Sequence, residues 1–232
     1  MRYFSQKINS PLSEKALLDC YIQNTEKCAQ GRKRPAIIIC PGGGYEEIAD
    51  REGEPIAIKM MSYGFQSFVL NYSLTPAHFP IALTELSTAI EYVRKNAKEF
   101  HIDPDAIWVA GFSAGGHLAA SLGVYWHTDF LQKYGYQAEE IKPNGLLLGY
   151  PVITAGKYAH RGSIVNLLGK DKANEIEYLN EVSLELHVDR FTPPSFIWHT
   201  ATDDVVPVNN SLMFANALKQ NDVKFALTIY PE

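Results

Sequence analysis

The stretch that most constrains this chain is Val109-Ala110-Gly111-Phe112-Ser113-Ala114-Gly115-Gly116-His117. Asp105 to Ala110 reads as a short buried strand, and Ala114 to Tyr125 as an apolar helix. The spacing Gly111-x-Ser113-x-Gly115 fits a sharp turn from that strand into that helix. Residues two places either side of the serine must be small there, because their Cβ atoms would collide with strand and helix. The serine is pushed into a strained backbone conformation, so its hydroxyl stands clear of the sheet. The first helix amides then face whatever it attacks.

The rest of the chain supplies the layers such a turn needs. Residues 2–8 and 16–22 read as two early strands joined by Asn9-Ser10-Pro11. Polar residues 23–34, ending in Gly31-Arg32-Lys33-Arg34, read as a solvated connection. Pro35–Cys40 is a continuous apolar run, as a strand covered on both faces requires, and it stops at Pro41-Gly42-Gly43-Gly44-Tyr45. A helix over 54–63, a strand over 65–72, a helix over 80–100 and a strand over 145–150 follow, with the elbow between the last two. Residues 153–192 break the rhythm, with Gly156, Gly162, Gly169 and helical patches at 163–168 and 171–181; they predict a small cap-like insertion over the strand ends. A strand at 195–200, a helix at 208–220 and a strand at 224–230 close the series. Alternating strands and helices predict a single α/β domain over 1–232, with a mainly parallel twisted sheet and helices on both faces. Gly42–Gly44, Ser113, Tyr150 and Asp203 each follow a strand, so they are expected to converge on one sheet edge.

Hydrophobic residues make up 46 % and charged residues 20 %, enough for a sizeable core. A net charge of -5 argues against nucleic acid or an anionic membrane as partner, and no apolar run reaches spanning length. Cys20, Cys28 and Cys40 lack Cys-x-x-Cys spacing and read as reduced thiols of a cytoplasmic protein, neither a disulfide frame nor a metal site.

A serine hydroxyl is a weak nucleophile at neutral pH. It needs a base to take its proton, a carboxylate to orient the base, and donors aimed at the developing oxyanion. The amides of Ala114, Gly43 and Gly44 are the candidate donors, because three consecutive glycines leave backbone N–H groups bare. A phosphate-binding loop would require Gly-Lys-Ser/Thr, which is absent. The carboxylate is one of Asp203 and Asp204, in the loop after a late strand.

The motifs Cys-Pro-Gly-Gly-Gly-Tyr at 40–45, Asp-Arg-Glu-Gly-Glu-Pro at 50–55, Asn-Tyr-Ser at 71–73, Gly-Phe-Ser-Ala-Gly-Gly-His at 111–117 and Asp-x-x-Val-Pro at 203–207 go together. From about residue 35 onward the chain resembles the α/β-hydrolase serine esterases, in particular the acetyl-esterase-like branch related to hormone-sensitive-lipase-type carboxylesterases. The resemblance implies Ser113 as nucleophile, Asp203 rather than Asp204 as the acid, and Gly43, Gly44 and Ala114 as the oxyanion hole. It implies no metal or organic cofactor, and small or carbohydrate acetyl esters as substrates. Tyr45, Tyr72 and Tyr150 are candidates to face the substrate, with core packing the alternative for Tyr72 and Tyr150. Pro41 departs from relatives whose loop begins His-Gly-Gly. The family's base follows the last strand just after Pro-Glu. Pro231-Glu232 ends this sequence, which is therefore expected to be short of a final loop and helix, with apolar surface near Phe225, Leu227 and Ile229 open to self-association as a homo-oligomer. None of His78, His101, His117, His127, His160, His187 and His199 fits the slot; His117 reads as a packed structural residue and His199 as a brace for the acid loop. An amidase or peptidase on the same elbow, or a non-catalytic binding protein without a base, are the alternative expectations.

Overall fold

The computed structural model describes residues 1–24 and 33–232. Most of the connection expected at 23–34, and Cys28 with it, lies outside the described residues. Among the described residues one eight-stranded sheet runs β1(Arg2–Ser10), β2(Ser13–Ile22), β4(Gln66–Asn71), β3(Arg34–Cys40), β5(Ile102–Phe112), β6(Gly145–Gly149), β7(Ser195–Thr200), β8(Phe225–Tyr230) in space. The strands β4, β3, β5, β6, β7 and β8 pair in parallel, and the β1–β2 hairpin joins β4 antiparallel. The helices are α1(Glu54–Ser62), α2(Ile81–Lys95), α3(Ala114–Tyr125), α4(Asp129–Gln132), α5(Ala138–Ile141), α6(Arg161–Leu168), α7(Ile176–Glu181) and α8(Asn209–Gln220).

The apolar run 35–40 is explained by its two covers. Ile38 and Cys40 face the larger core, with Leu86 and Ile90 of α2, Leu118 and Leu122 of α3, and Leu218 of α8. Ile37 and Ile39 face the other side, where Ala57 of α1 packs with Val69, Ala110 and Phe112. The sheet is thus helix-covered on both faces, as the strand–helix alternation predicts.

Several boundaries differ from the pattern reading; the first hairpin runs to Ser10 and resumes at Ser13, beyond the expected 2–8 and 16–22. The strand expected at 105–110 begins at Ile102, because Arg34 pairs with Ile102 before the main register starts at Ile107. Arg34 itself is in β3, its guanidinium donating to the Gly64 carbonyl at 3.1 Å, so the basic cluster is not wholly solvated. The helix expected to reach Phe100 ends at Lys95, and a turn closed by Phe100 N–H on the Asn96 carbonyl leads to His101 at φ 55°.

The insertion after β6 is not a separate layer. Its Ile164, Leu167, Val182 and Leu184 are buried in the larger core. At the far edge β8 is open: Phe225 and Ile229 are exposed, as is Phe196 of β7. Among the described residues no helix is long and apolar enough to cross a membrane.

Candidate active site

The turn at Ser113 is fixed by contact. A Cβ at Gly111 would fall 2.1 Å from the Gly115 carbonyl oxygen, and one at Gly115 would fall 2.1 Å from the Cys40 oxygen and 2.3 Å from the Pro41 oxygen. Side chains are excluded at both places, so strand β5, helix α3 and the end of β3 close to backbone distance. Ser113 adopts φ 51° and ψ -120°, which no unconstrained serine holds. Its N–H donates to the Gly149 carbonyl, and its own carbonyl accepts from Val152 and His117. Its neighbours Phe112 and Ala114 are buried while Ser113 is half-buried. Helix α3 runs directly from it, so the first amides of α3 have no carbonyl within the helix to donate to.

The loop after β3 lies alongside. A Cβ placed on Gly42 would sit 3.1 Å from Ser113 Cβ. Gly43, Gly44 and Tyr45 follow at φ 123°, 66° and 60°. Their carbonyls are taken: Gly43 accepts from Glu46 and Glu47, Gly44 from Asn166 Nδ2 at 2.9 Å, and Tyr45 from Thr75. The N–H groups of Gly43 and Gly44 donate to no protein group among the described residues. Two bare amides beside a serine at a helix N-terminus form an arrangement that accepts negative charge.

Tyr45 and Tyr72 do not face this opening. Each is 3 % exposed, with ring centroids 5.9 Å apart. Tyr72 O–H donates to the Pro41 carbonyl at 2.6 Å. The left-handed backbone at Tyr45 swings its ring inward onto α3, where its O–H meets His117 Nδ1 at 2.9 Å. The expectation that Tyr45 contacts the substrate through its ring therefore meets a core position instead. Tyr150 is half-buried, at φ 36° just past β6. Burial, followed by the Glu52 and Asp203 carboxylates, holds its phenol above the ordinary tyrosine range.

Asp203 lies past β7. Its Oδ1 accepts from the N–H groups of Val205 and Val206 at 3.0 and 2.9 Å, an acid locking its own turn. Oδ2 lies 3.4 Å from His199 Nε2, and the side chain is 18 % exposed. Asp204 is exposed.

The histidines described are committed elsewhere. His199 is fully buried; its Nε2 donates to the Val206 carbonyl at 2.8 Å and its Nδ1 meets Ser211 Oγ. It does brace the acid loop. His117 is fully buried, and burial lowers its pKa to about 4 against the small opposing effect of the Val182 carbonyl. That carbonyl can only accept, so Nε2 carries the hydrogen, and Nδ1 accepts from Tyr45 O–H. Neither nitrogen is left for Ser113. In the insertion, His160 caps α6 through Nδ1 and His187 bonds the Asn180 carbonyl. His127 pairs with Asp189, and His78 bonds the Asn166 carbonyl. His101 belongs to the opposite end of the sheet, where β3 and β5 begin.

One residue of the site entered the sequence reading only within the motif at 50–55, with no role of its own. Glu52, 4 % exposed, accepts from Gly42 N–H at 2.7 Å and from Tyr150 O–H at 3.0 Å. In sequence Asp50-Arg51-Glu52 looks like solvent-facing charge; the only cue to burial is the Gly53 that follows and the proline entry of α1 at Pro55. Among the described residues no group of three or more His, Cys, Asp or Glu side chains is placed to hold a metal ion.

A family profile described as BD-FAE matches residues 18–218. Endo-1,4-beta-xylanase B of Butyrivibrio fibrisolvens is 40 % identical over 206 residues, 86 % of this chain and 32 % of that protein. An acetylxylan esterase of Xylanibacter ruminicola is 30 % identical over 200 residues, 84 % of this chain and 39 % of its own length. The chain thus spans about a third to two fifths of the length of these two curated relatives. The solved structure of an acetyl ester-xyloside bifunctional hydrolase from Caldicellulosiruptor lactoaceticus superposes with a TM-score of 0.83 at 38 % identity, covering 94 % of this chain and 78 % of that one.

Proposed function

The chain belongs to the BD-FAE family and has the α/β-hydrolase fold, and on that premise we propose that it is a serine esterase acting on small or carbohydrate acetyl esters. The observation that carries this reading is the strained Ser113 at the head of α3, alongside a glycine loop whose Gly43 and Gly44 amides donate to no protein group among the described residues. Ser113 Oγ attacks the ester carbonyl, and the oxyanion is held by the amides of Gly43, Gly44 and Ala114. The alcohol leaves, and water then hydrolyses the acyl-enzyme. A base must take the Ser113 proton as the C–O bond to the serine forms and return it to the alcohol as the ester C–O bond breaks, and in the second half it does the same for water.

Asp203 orients the base in this reading: Oδ1 is spent on its own turn, and Oδ2, 3.4 Å from His199 Nε2, is the oxygen that would accept from the base. The family pattern assigns that imidazole to the loop after the last strand. The chain leaves β8 beside the acid loop: Ala201 N–H donates to the Tyr230 carbonyl, and Thr202 Oγ1 lies 3.5 Å from the Pro231 oxygen. Tyr150 lines the acyl or sugar side of the pocket. The names of the relatives, an acetylxylan esterase and an acetyl ester-xyloside hydrolase, support acetylated xylan fragments as the first substrates to try.

The test is acetate release from an aryl acetate and from acetylated xylo-oligosaccharides by the complete protein and its Ser113→Ala variant. The reading predicts turnover of at least one of the two, with a loss of about 10⁴-fold or more in the variant. A variant as fast as the parent, or faster release from aminoacyl arylamides than from acetates, contradicts it.

A further inference from the structure

The carboxylate of Glu52 sits where a charge is costly. It is 4 % exposed, and its one cationic neighbour among the described residues, Arg51 at 3.5 Å, has a side chain 84 % exposed and so is screened by water. Burying a carboxylate costs several kcal/mol, and an apolar side chain of the same volume generally packs as well without that cost. The position therefore calls for what the two oxygens do.

Oε2 takes the Gly42 N–H at 2.7 Å, a charge-assisted bond to main chain. The Gly42 carbonyl accepts from Ala49 N–H at 3.0 Å, in the same short segment. Both polar groups of Gly42 are thus bound by residues 49–52. The Gly42 amide is withdrawn from the opening, and the next two, of Gly43 and Gly44, are the ones left bare. Oε1 takes the Tyr150 O–H at 3.0 Å, reaching the loop after β6. Between the two sits Ser113: a Cβ on Gly42 would be 2.6 Å from Glu52 Oε2 and 3.1 Å from Ser113 Cβ. One carboxylate therefore ties the loops after β3 and β6 together around the serine that ends β5.

We infer that Glu52 is a positioning residue of the reaction: it decides which glycine amides face the oxyanion, and it fixes Tyr150 against the same site. The inference rests on the esterase reading of Ser113. Its chemistry is geometric. A hydrogen-bond donor about 1 Å out of place loses most of its hold on a transition-state charge, while ground-state binding of a small ester barely senses the shift. Removal of Glu52 therefore acts on kcat.

The experiment measures kcat and KM on an aryl acetate, and the rate of Ser113 phosphonylation by an aryl phosphonate, for the complete protein and for Glu52→Ala, Glu52→Gln, Tyr150→Phe and Ser113→Ala. Glu52→Ala orphans the Gly42 N–H and should lower kcat and phosphonylation about 10²-fold with KM within about threefold. Glu52→Gln keeps an acceptor for Gly42 and should recover to within about fivefold of the parent. Tyr150→Phe frees one oxygen and should lower kcat about three- to tenfold. If Glu52→Ala fails to fold, the Gln and Phe variants carry the test. Parental kcat in every folded Glu52 and Tyr150 variant, with Ser113→Ala inactive, overturns the role of Glu52 and leaves the esterase reading standing. A parent as slow as Ser113→Ala removes the reading itself.

Discussion

The two halves of the candidate site are built by different means. On the nucleophile side, Gly111 and Gly115 close to backbone contact and Ser113 is held at φ 51° by three neighbouring segments. On the acid side, Asp203 is held by two amides of its own turn, and Val205 beside it is exposed. The first half is over-determined by packing and ready before any ligand arrives. The second is a local turn on a surface loop, whose worth depends on the partner its second oxygen receives. The contrast teaches where sensitivity should lie: in folding at the elbow, in turnover at the acid.

The sharpest way to break this contrast is the acid itself. Asp203→Asn in the complete protein should cut turnover of an aryl acetate by about 10⁴-fold while leaving the unfolding free energy from urea titration within about 1 kcal/mol of the parent, because the amide still locks the turn but orients the base wrongly. A large stability loss with modest loss of rate would make Asp203 structural. The elbow should answer the other way. Gly115→Ala forces a Cβ to 2.1 Å from the Cys40 oxygen, where backbone on both sides leaves no room to yield. A loss of about 4 kcal/mol or more is expected, read by circular dichroism as a broadened or absent thermal transition. A well-folded Gly115→Ala protein would show that the close approach is not tight.

A smaller effect sharpens the same point through pH. His117 has its pKa lowered to about 4 from 6.5 by burial. Below pH 6.5 the unfolded chain takes up a proton that the folded chain refuses until about pH 4, so stability present above pH 6.5 drains away as pH falls through that window. The total is about 3 kcal/mol. Urea titrations from pH 7 to 4 should show it, and His117→Gln, which can still accept from Tyr45 and donate to Val182, should flatten it. An unchanged slope in the variant would assign the pH dependence to other groups. The smallest effect is expected at Asp204, exposed in the acid loop: Asp204→Asn should change rate by less than about twofold and stability by under about 0.5 kcal/mol.

Residues dictated by sterics were legible from sequence, and residues dictated by partners were not. The elbow and the glycine loop could be read because close backbone approach leaves only glycine as an answer, and helix α3 ran over the residues its apolar pattern indicated, Ala114–Tyr125. Tyr45 was misplaced because its direction follows from a left-handed backbone angle that the letters do not carry. Glu52 was part of the motif at 50–55 but was given no role, because its partners, Gly42 and Tyr150, come from two other strand ends. Helices α4 and α5, four residues each, are too short to show a period.

The central claim is that the strained serine at the head of α3 is the nucleophile. The direct measurement is mass-spectrometric mapping of the complete protein after reaction with a fluorophosphonate. The account predicts one adduct per chain, on the peptide containing Ser113, and none in Ser113→Ala. An adduct on any other residue, or undiminished labelling of Ser113→Ala, would contradict it.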